Sequence, residues 1–452
     1  MFILIAIGAM RLFKKEKIVE NDRALKTIYC CGIAFYQKKY TLTSQSVSFC
    51  GLEFFSKKIS QNDICYRIFS FINIKQNFDN LYKNIIKDKR SVILYFDHAL
   101  GGGTDVYSKC QINQLKRDEN VWRIQYLPAK KIFCLTAFTS TKEYANKFWN
   151  LSQLKKIALQ ANVTEIIINN LVSYANSLSV LDFVDEIKKN HKNKITVSMR
   201  GHDFQSICVS YNLLNDKGVF CNLPDMKVCE QCSKHFQLNE KIEKHKILLS
   251  GMTDIVLWRK RWEIFYRDTV DELIVFSDAV RDIFLKVYPF LQDRIKVIPH
   301  KVRSFRQVNI PEHKGINIAF LGNLNSVAKG KNIIKEMAKI AQNPKAASLF
   351  VIGSLDGIDG ITVTGKYNPD NLPDIVENLK VDIIFIPSVW PETFSYTTAE
   401  AMQMNIPVAC FDFGAPAERV RKYHKGLVIS KLDAKTALDE ICNFIHKQKN
   451  ED

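Results

Sequence analysis

Short apolar runs alternate with amphipathic stretches along most of this chain. From residue 91 onward, nearly unbroken apolar runs such as SVILYFD (91–97) are followed by segments with apolar residues at helical spacing, such as SVLDFVDEIKKNHK (179–192). Unbroken apolar strands are typical of parallel sheets that are covered on both faces, and the helical spacing predicts the covering helices. The pattern therefore predicts an α/β fold.

The predicted strands form two series, which the polar segment 301–315 separates. The first series is predicted at 91–97, 163–170, 194–200, 272–278 and 294–300. The second series is predicted at 316–322, 348–354, 360–365, 382–388, 407–413 and 426–430. Strands that alternate with helices form right-handed crossovers, and open sheets of this kind bind ligands at the carboxyl ends of their strands. We therefore predict two doubly wound, Rossmann-like domains that face a cleft, at residues 91–305 and 306–452.

Residues 1–90 lack this pattern and contain a short repeat. The units IYCCGIAFYQKKY (28–40) and VSFCGLEFFSKKI (47–59) each run through a glycine and end in two lysines. The repeat predicts a small β-rich, hairpin-like extension with a hydrophobic face and a basic tip. Two interpretations stay open: a strand pair that packs on the main body, or a patch that contacts anionic lipid headgroups. In the second interpretation the contacting side chains are Lys38, Lys39, Lys57 and Lys58.

The composition indicates a folded protein with a negatively charged partner. The chain has 452 residues, of which 46% are hydrophobic and 25% charged, so it forms more than one domain and is not disordered. Its net charge of +17 fits nucleic acid, anionic lipid or a phosphate-bearing substrate. No stretch reaches the roughly 18 apolar residues that span a bilayer. The opening MFILIAIGAM has its basic residues after the apolar run, unlike a secretory signal, and we expect a cytoplasmic protein.

The segment VWPETFSYTTAEAMQ (389–403) places two carboxylates on either side of a predicted helix start near residues 394–396. Unpaired N–H groups in the first turn of a helix, together with the positive end of its dipole, bind phosphate or sugar hydroxyls. Glu392 can accept hydrogen bonds from sugar hydroxyls, and Glu400 can bind the vicinal diol of a ribose. Without further context, the same two residues would more often be a loop charge and a solvated helix residue.

The residues around this segment resemble a known protein family. PSVWPETFSYTTAEAMQMNIPV (387–408) closely resembles the E-x7-E region of GT-B glycosyltransferases of family 4, and FDFGAPAERV (411–420) resembles its continuation in members that build bacterial surface polysaccharides. The resemblance implies that Glu392 holds the donor sugar and that Glu400 holds the nucleoside ribose. It also implies that main-chain amides bind the sugar and the diphosphate, and these amides belong to Phe394, Ser395 and Tyr396.

Two further segments resemble the family, as does a third that contains a histidine. AFLGNLNSVAKGKN (319–332) is similar to the loop in which a lysine pairs with the diphosphate, which implies roles for Gly322 and Lys329. Many relatives carry an arginine at the position of Asn323, so either Lys329 binds the diphosphate alone or another basic residue compensates. DHALGGGTDVY (97–107) is similar to the glycine-rich loop under the donor phosphates, which the resemblance assigns to Gly101, Gly102 and Gly103.

A histidine in MRGHDFQSICV (199–209) completes the predicted catalytic residues. His202 follows a predicted parallel strand, at the position where relatives carry a histidine beside the reacting sugar. It would contact the donor sugar or position the acceptor. With this residue, the predicted catalytic set is His202, Glu392 and Lys329.

Four cysteines gather in a predicted insertion at 205–240, and two of them have the C-x2-C spacing that places two thiolates on one tetrahedral ion. A structural zinc site and four reduced thiols both fit this pattern. A catalytic metal is not expected, because the sequence has no D-x-D motif and a four-thiolate site has no open position. The four cysteines are Cys208, Cys221, Cys229 and Cys232.

We therefore predict a glycosyltransferase that moves a sugar from a UDP-, GDP- or dTDP-sugar to a hydroxyl of a glycan or lipid-linked glycan. The resemblance implies retention of anomeric configuration without a catalytic metal, in lipopolysaccharide, capsule or other surface polysaccharide assembly at the inner face of the cytoplasmic membrane. One alternative is another GT-B enzyme, a nucleotide-sugar epimerase or a phosphorylase. A second alternative is a basic nucleic-acid-binding protein with a zinc module. No nucleic acid is expected, because this alternative leaves the two predicted α/β domains unexplained.

Overall fold

The structure is a computed structural model. It describes residues 13–20, 23–30, 33–41, 44–49, 52–59, 63–68, 72–77, 90–139, 143–148, 150–192, 194–238, 254–342 and 346–451. Within these residues, no helix has the length and the apolar character needed to cross a membrane.

Seven strands in the N-terminal region form an antiparallel meander in which each strand pairs with its sequence neighbours. They are β1 (Phe13–Glu20), β2 (Arg23–Cys30), β3 (Ile33–Thr41), β4 (Ser44–Phe49), β5 (Leu52–Ile59), β6 (Asp63–Ile68) and β7 (Ile72–Asn77). Each predicted repeat unit contains the last three residues of one strand and all or nearly all of the next: 28–40 joins the end of β2 to β3, and 47–59 joins the end of β4 to β5. The side chains of the four lysines at the predicted basic tip lie outside the described residues.

A second sheet has eight strands in the order β11-β10-β9-β8-β12-β13-β14-β15. The strands are β8 (Val92–Asp97), β9 (Asn120–Leu127), β10 (Ile132–Phe138), β11 (Glu143–Phe148), β12 (Val163–Ile168), β13 (Thr196–Arg200), β14 (Glu272–Val275) and β15 (Ile295–Val297). The pairs from β12 to β15 are parallel, as predicted. In contrast, β9, β10 and β11 are antiparallel, and the sequence pattern did not reveal them.

Among the described residues of this part, the helices are α1 (Gly103–Leu115), α2 (Leu151–Ala158), α3 (Leu178–Asn190), α4 (Met226–Leu238), α5 (Ile255–Asp268) and α6 (Asp278–Val287). The loops that follow β8 and β13 carry the glycine-rich segment and His202. Every residue of β8 is buried, which explains why its sequence is apolar up to its last residue, Asp97.

The third sheet has six parallel strands in the order β18-β17-β16-β19-β20-β21. The strands are β16 (Asn317–Asn323), β17 (Ser348–Ser354), β18 (Thr362–Val363), β19 (Ile383–Ile386), β20 (Val408–Phe411) and β21 (Gly426–Ile429). The helices are α7 (Lys331–Ala341), α8 (Leu372–Asn378), α9 (Tyr396–Gln403), α10 (Gly414–Val420) and α11 (Ala434–Glu451). All six strands coincide with predicted ones, and this sheet confirms the α/β class.

Alternate residues of the third sheet enter two separate cores. Ile318 and Phe320 of β16 pack with α7 and α11, whereas Ala319 and Leu321 pack with α8, α9 and α10. This alternation follows from the pleat of a strand, and it covers both faces of the sheet. The strand order reverses between β16 and β19, which is the point where open α/β sheets bind ligands. The loops after these two strands carry Lys329 and Glu392.

The chain divides into two compact units. One contains residues 1–95, 115–164 and 182–195, and the other contains 96–114, 165–181 and 196–452. All the candidate site residues belong to the second unit. The domain boundaries predicted from the sequence, 91–305 and 306–452, stay predictions.

Candidate functional site

The loop between β19 and α9 buries a carboxylate. Glu392 is only 4% exposed, and its Oε1 accepts a hydrogen bond from Lys329 Nζ at 2.7 Å and another from Ser388 Oγ. A buried carboxylate requires such partners, because an ionised group without them would lose its hydration uncompensated. The helix begins at Tyr396, within the predicted range, and Ser395 before it has a φ of 67°.

Glu392 stays ionised despite its burial. Burial by itself would raise the pKa of this carboxyl, but the Lys329 ammonium and the hydrogen bonds from Lys329, Ser388 and Ser395 outweigh it and hold the pKa below its usual value. The group is therefore an acceptor at neutral pH. It can bind hydroxyl or ammonium donors and cannot donate a proton.

A glycine brings Lys329 to this carboxylate. Gly330 has a φ of 80°, and a Cβ at this position would collide with the Pro387 carbonyl. The close approach lets the loop after β16 pack directly on the residue that follows β19, which only a residue without a side chain allows. The Lys329 side chain remains 40% exposed while it pairs with Glu392, so its ammonium can also reach a ligand.

His202 lies buried beside the same loop, in the turn after β13. Its Nε2 lies 3.0 Å from Asn169 Oδ1, and its carbonyl oxygen accepts a hydrogen bond from Thr393 Oγ1 at 3.0 Å. Burial lowers the pKa of His202 well below its usual value, and the nearby His300, His98 and Arg200 lower it further. The imidazole is therefore neutral at physiological pH, with Nε2–H donating to Asn169.

Most predicted site residues line one cavity of about 350 Å³. They are His202, Lys329, Glu392, Gly101, Gly103, Phe394, Ser395 and Tyr396. Gly103 is at the start of α1, and a Cβ there would lie 3.0 Å from the Tyr396 ring, so the glycine permits a close approach of α1 to this loop. The three predicted catalytic residues therefore meet at one site.

Three predicted residues, all of them described by the structure, lie outside that lining: Gly102, Gly322 and Glu400. Glu400 lies on α9, one turn after its start, and burial raises the pKa of its carboxyl although Arg303 opposes the change. Gly322 is on β16 with a φ of 103°. The ribose role of Glu400 stays a prediction.

Two residues that the sequence analysis missed contact Phe394. His300 stacks on the Phe394 ring with centroids 4.2 Å apart, and the Arg419 guanidinium carbon lies 3.8 Å from the ring centroid. Burial lowers the pKa of His300 to about 3, helped by the Arg419 charge. His300 ends the predicted strand 294–300, and this position after a parallel strand was the signal that could have identified it. No comparable feature of the sequence pointed to Arg419.

The predicted zinc site is not supported. The four cysteines line a different cavity of about 570 Å³, but among the described residues no group of three or more His, Cys, Asp or Glu is arranged to hold a metal ion. Burial raises the pKa of Cys208 to about 12, and Arg259 Nη2 lies 3.4 Å from Cys229 Sγ. A structural zinc needs ligands that converge on one point, whereas Cys229 contacts the Arg259 guanidinium.

Comparison with known proteins agrees with the geometry of the C-terminal region. Residues 301–452 match the family described as Glycosyl transferases group 1. This part of the chain is therefore a glycosyltransferase domain, and the predicted enzyme class is confirmed at this level. No curated protein matches the chain.

A comparison with solved structures finds several that match most of this chain. HepE of Anabaena in complex with UDP has 12% sequence identity and a TM-score of 0.47, over 80% of this chain and 90% of that chain. Sucrose-phosphate synthase from Thermosynechococcus elongatus has 14% identity and a TM-score of 0.48, over 80% and 91%. The lipopolysaccharide outer core galactosyltransferase WaaB has 10% identity and a TM-score of 0.48, over 79% and 91%.

Proposed function

We propose that this protein transfers a sugar from a nucleotide-sugar donor to a hydroxyl of a glycan acceptor, as a retaining GT-B enzyme of family 4. The observation that carries the proposal is the meeting of Lys329, ionised Glu392 and neutral His202 at one cavity beside the start of α9. A cation and helix N–H groups suit a diphosphate, and a carboxylate suits sugar hydroxyls. The three kinds of group a sugar diphosphate requires are therefore present together.

In the proposed reaction, Lys329 stabilises the leaving diphosphate. Cleavage of the anomeric bond places negative charge on the departing diphosphate and positive charge on the sugar ring. Preorganised donors that face the developing charge lower the barrier, and Lys329 with the N–H groups of residues 394–396 would supply them. We assign this role to protein groups rather than to a divalent metal, because the sequence lacks a D-x-D motif.

Donor binding would rearrange the ion pair. Lys329 Nζ lies 2.7 Å from Glu392, so a diphosphate that recruits the ammonium must share it with the carboxylate or replace it. Glu392 would then accept hydrogen bonds from hydroxyls of the donor sugar. The ion pair orients both groups before the donor arrives, which reduces the reorganisation needed for catalysis.

His202 and the glycine-rich loop complete the proposed donor site. Because burial keeps the imidazole neutral, His202 would contact the donor sugar or the acceptor through hydrogen bonds rather than through charge. Gly101 has a φ of 79° and Gly102 a φ of 82°, conformations that favour glycine. A backbone without side chains at these positions allows a phosphate to approach closely. We assign the ribose to Glu400.

The acceptor and location are proposed from charge and from the sequence resemblance. A net charge of +17 favours a surface or an acceptor that carries negative charge. A lipid-linked glycan at the inner face of the cytoplasmic membrane, in lipopolysaccharide, capsule or other surface polysaccharide assembly, meets this requirement. The extension at residues 1–90 would contribute basic residues to the contact.

The test is a binding and activity panel with UDP-, GDP- and dTDP-sugars. We expect one nucleotide class to raise the melting temperature, because a ligand that binds only the folded state stabilises it. Glu400→Ala should abolish this shift, and Lys329→Met should remove most of it. Release of free sugar or transfer to a glycan supports the proposal, whereas conversion of one free nucleotide sugar into another identifies an epimerase. A wild-type protein that binds none of the three classes refutes the proposal.

A further inference from the structure

Arg419, on α10, contacts the two residues immediately before α9. Its guanidinium carbon lies 3.8 Å from the centroid of the Phe394 ring, and its Nη1 donates to the Ser395 carbonyl oxygen at 3.3 Å. The first contact is a cation–π interaction and the second a directed hydrogen bond. Arg419 thus touches both the side chain and the backbone of the loop that would receive the diphosphate.

The burial of this cation requires an explanation. Arg419 Nη2 is buried and has no hydrogen-bond partner in the described part of the chain, and burial lowers the pKa of the guanidinium to about 10. An unpaired buried donor is unfavourable, and native proteins keep few of them. An apolar side chain could pack on Phe394 without this cost. The guanidinium therefore supplies something that packing alone would not.

The loop that Arg419 holds has a strained backbone and a second support. Ser395 has a φ of 67° and a ψ of 95°, which a residue with a side chain adopts only when its surroundings enforce it. His300 stacks on Phe394 at 4.2 Å, and Tyr107 packs against His300 at 4.5 Å. Phe394 is therefore held by His300 and Arg419 together, and the Arg419 bond to the Ser395 carbonyl supports the strained residue itself.

We propose that Arg419 is a positioning residue of the donor site. By stacking on Phe394 and binding the Ser395 carbonyl, it fixes the N–H groups of residues 394–396 in the orientation that receives the donor diphosphate. It acts through Phe394 and Ser395 without touching the donor. This answers the question raised by Asn323, because the second basic residue supports the diphosphate site indirectly. The inference rests on the proposed function.

The test compares Arg419→Met and Arg419→Lys with the wild type, and uses Arg421→Met as the control. Arg421 is 51% exposed and pairs with Asp412 on the surface. The probes are UDP, GDP and dTDP, of which the one that binds the wild type is used, together with its nucleoside monophosphate. Affinities are measured by calorimetry, and unfolding in urea checks that each variant is folded.

We expect Arg419→Met to weaken the diphosphate about 10-fold or more, since a fixed donor array is worth that much, and to change monophosphate affinity by less than about 2-fold. Lysine lacks the planar fork, so Arg419→Lys should recover little of the loss. Wild-type affinity in Arg419→Met, full recovery by lysine, or equal loss for both nucleotides would overturn the proposal. If Lys329→Met loses binding while Arg419→Met does not, only this inference fails. If the wild type binds no nucleoside diphosphate, the proposed function fails with it.

Discussion

At the scale of single residues, the site combines groups whose ionisation the fold has changed. Glu392 is buried yet ionised, because Lys329 and Ser388 compensate for its lost hydration. His202 and His300 are buried and neutral, because burial, reinforced by nearby basic groups, lowers the pKa of each imidazole. The site can therefore bind an anionic diphosphate through Lys329 and neutral sugar hydroxyls through the other groups, without a change of protonation near pH 7.

The family resemblance predicted that Glu392, Lys329 and His202 belong to one site. Other contacts of the site are recognisable only from the tertiary structure. Glu392 and Lys329 are 63 positions apart, and no local pattern pairs them; only their matched motifs suggested one site. His300 and Arg419 were missed, because their contacts to Phe394 depend on how the loop after β19 packs, which no spacing within a single segment encodes. The zinc alternative is not supported for the same reason, since a C-x2-C spacing does not determine whether four thiols converge.

The neutral state of His300 predicts a pH-dependent stability. Its pKa is about 3 in the folded protein and 6.5 when unperturbed. The groups that face it are Tyr107, His202, Phe276, Phe394, Tyr396 and Arg419. Below pH 6.5 the unfolded state binds a proton that the folded state excludes, so stability is lost as the pH falls. The loss approaches about 1.4 kcal/mol per pH unit for one fully excluded proton.

We expect His300→Phe, which keeps an aromatic ring against Phe394, to reduce this slope between pH 6.5 and about 4.5. Urea denaturation at a series of pH values measures it, and His446→Phe on the exposed face of α11 is the control. The remaining slope would come from His202 and other groups. An unchanged slope in His300→Phe would show that His300 is not held neutral by the fold.

At the scale of elements, the strands with the clearest sequence signal are those buried on both faces. β19 is continuously apolar, β8 is apolar up to its last residue, Asp97, and both strands are fully buried, so their patterns are unambiguous. β9 alternates buried and half-buried residues in its second half, and this weaker pattern concealed the antiparallel strands. The β-rich character of the N-terminal extension was predicted, but its seven strands were not, since strands such as FKKEKIVE in β1 are too polar to stand out.

At the junction between β16 and β19, a single methyl group added to Gly330 should strongly affect stability and binding. Gly330→Ala would combine a φ of 80° with a collision between Cβ and the Pro387 carbonyl. To relieve this collision, the loops that carry Lys329 and Glu392 must move apart. Gly365→Ala is a matched control, because Gly365 has the same φ but nothing within 4 Å of its Cβ position.

We expect Gly365→Ala to cost about 1 kcal/mol, from backbone strain alone. Gly330→Ala should cost at least about 1 kcal/mol more, and it should weaken nucleoside diphosphate binding, which Gly365→Ala should not. Urea unfolding and calorimetric titration with UDP, GDP and dTDP measure the two effects. Equal stability and equal affinity in the two variants would mean that the loops are not held together at Gly330.

At the scale of the whole molecule, charge and fold lead to one further expectation. The net charge of +17 is larger than a diphosphate site requires, so we expect most of the basic residues to serve a second anionic partner. An anionic membrane surface attracts basic residues by about 1 kcal/mol each within a Debye length. The N-terminal meander is the candidate contact, because its strands β3 and β5 contain the paired lysines of the repeat.

We therefore expect the full chain to sediment with vesicles that contain about 30% anionic lipid and not with zwitterionic vesicles, and we expect the binding to fall steeply as salt shortens the Debye length. Replacing Lys38, Lys39, Lys57 and Lys58 by Gln should remove most of this binding. The control replaces four exposed lysines elsewhere, Lys335, Lys339, Lys431 and Lys435, and carries the same net charge. If both variants lose binding equally, attraction follows total charge and the meander is not the contact. If the wild type binds neither kind of vesicle, the protein meets its acceptor away from an anionic surface.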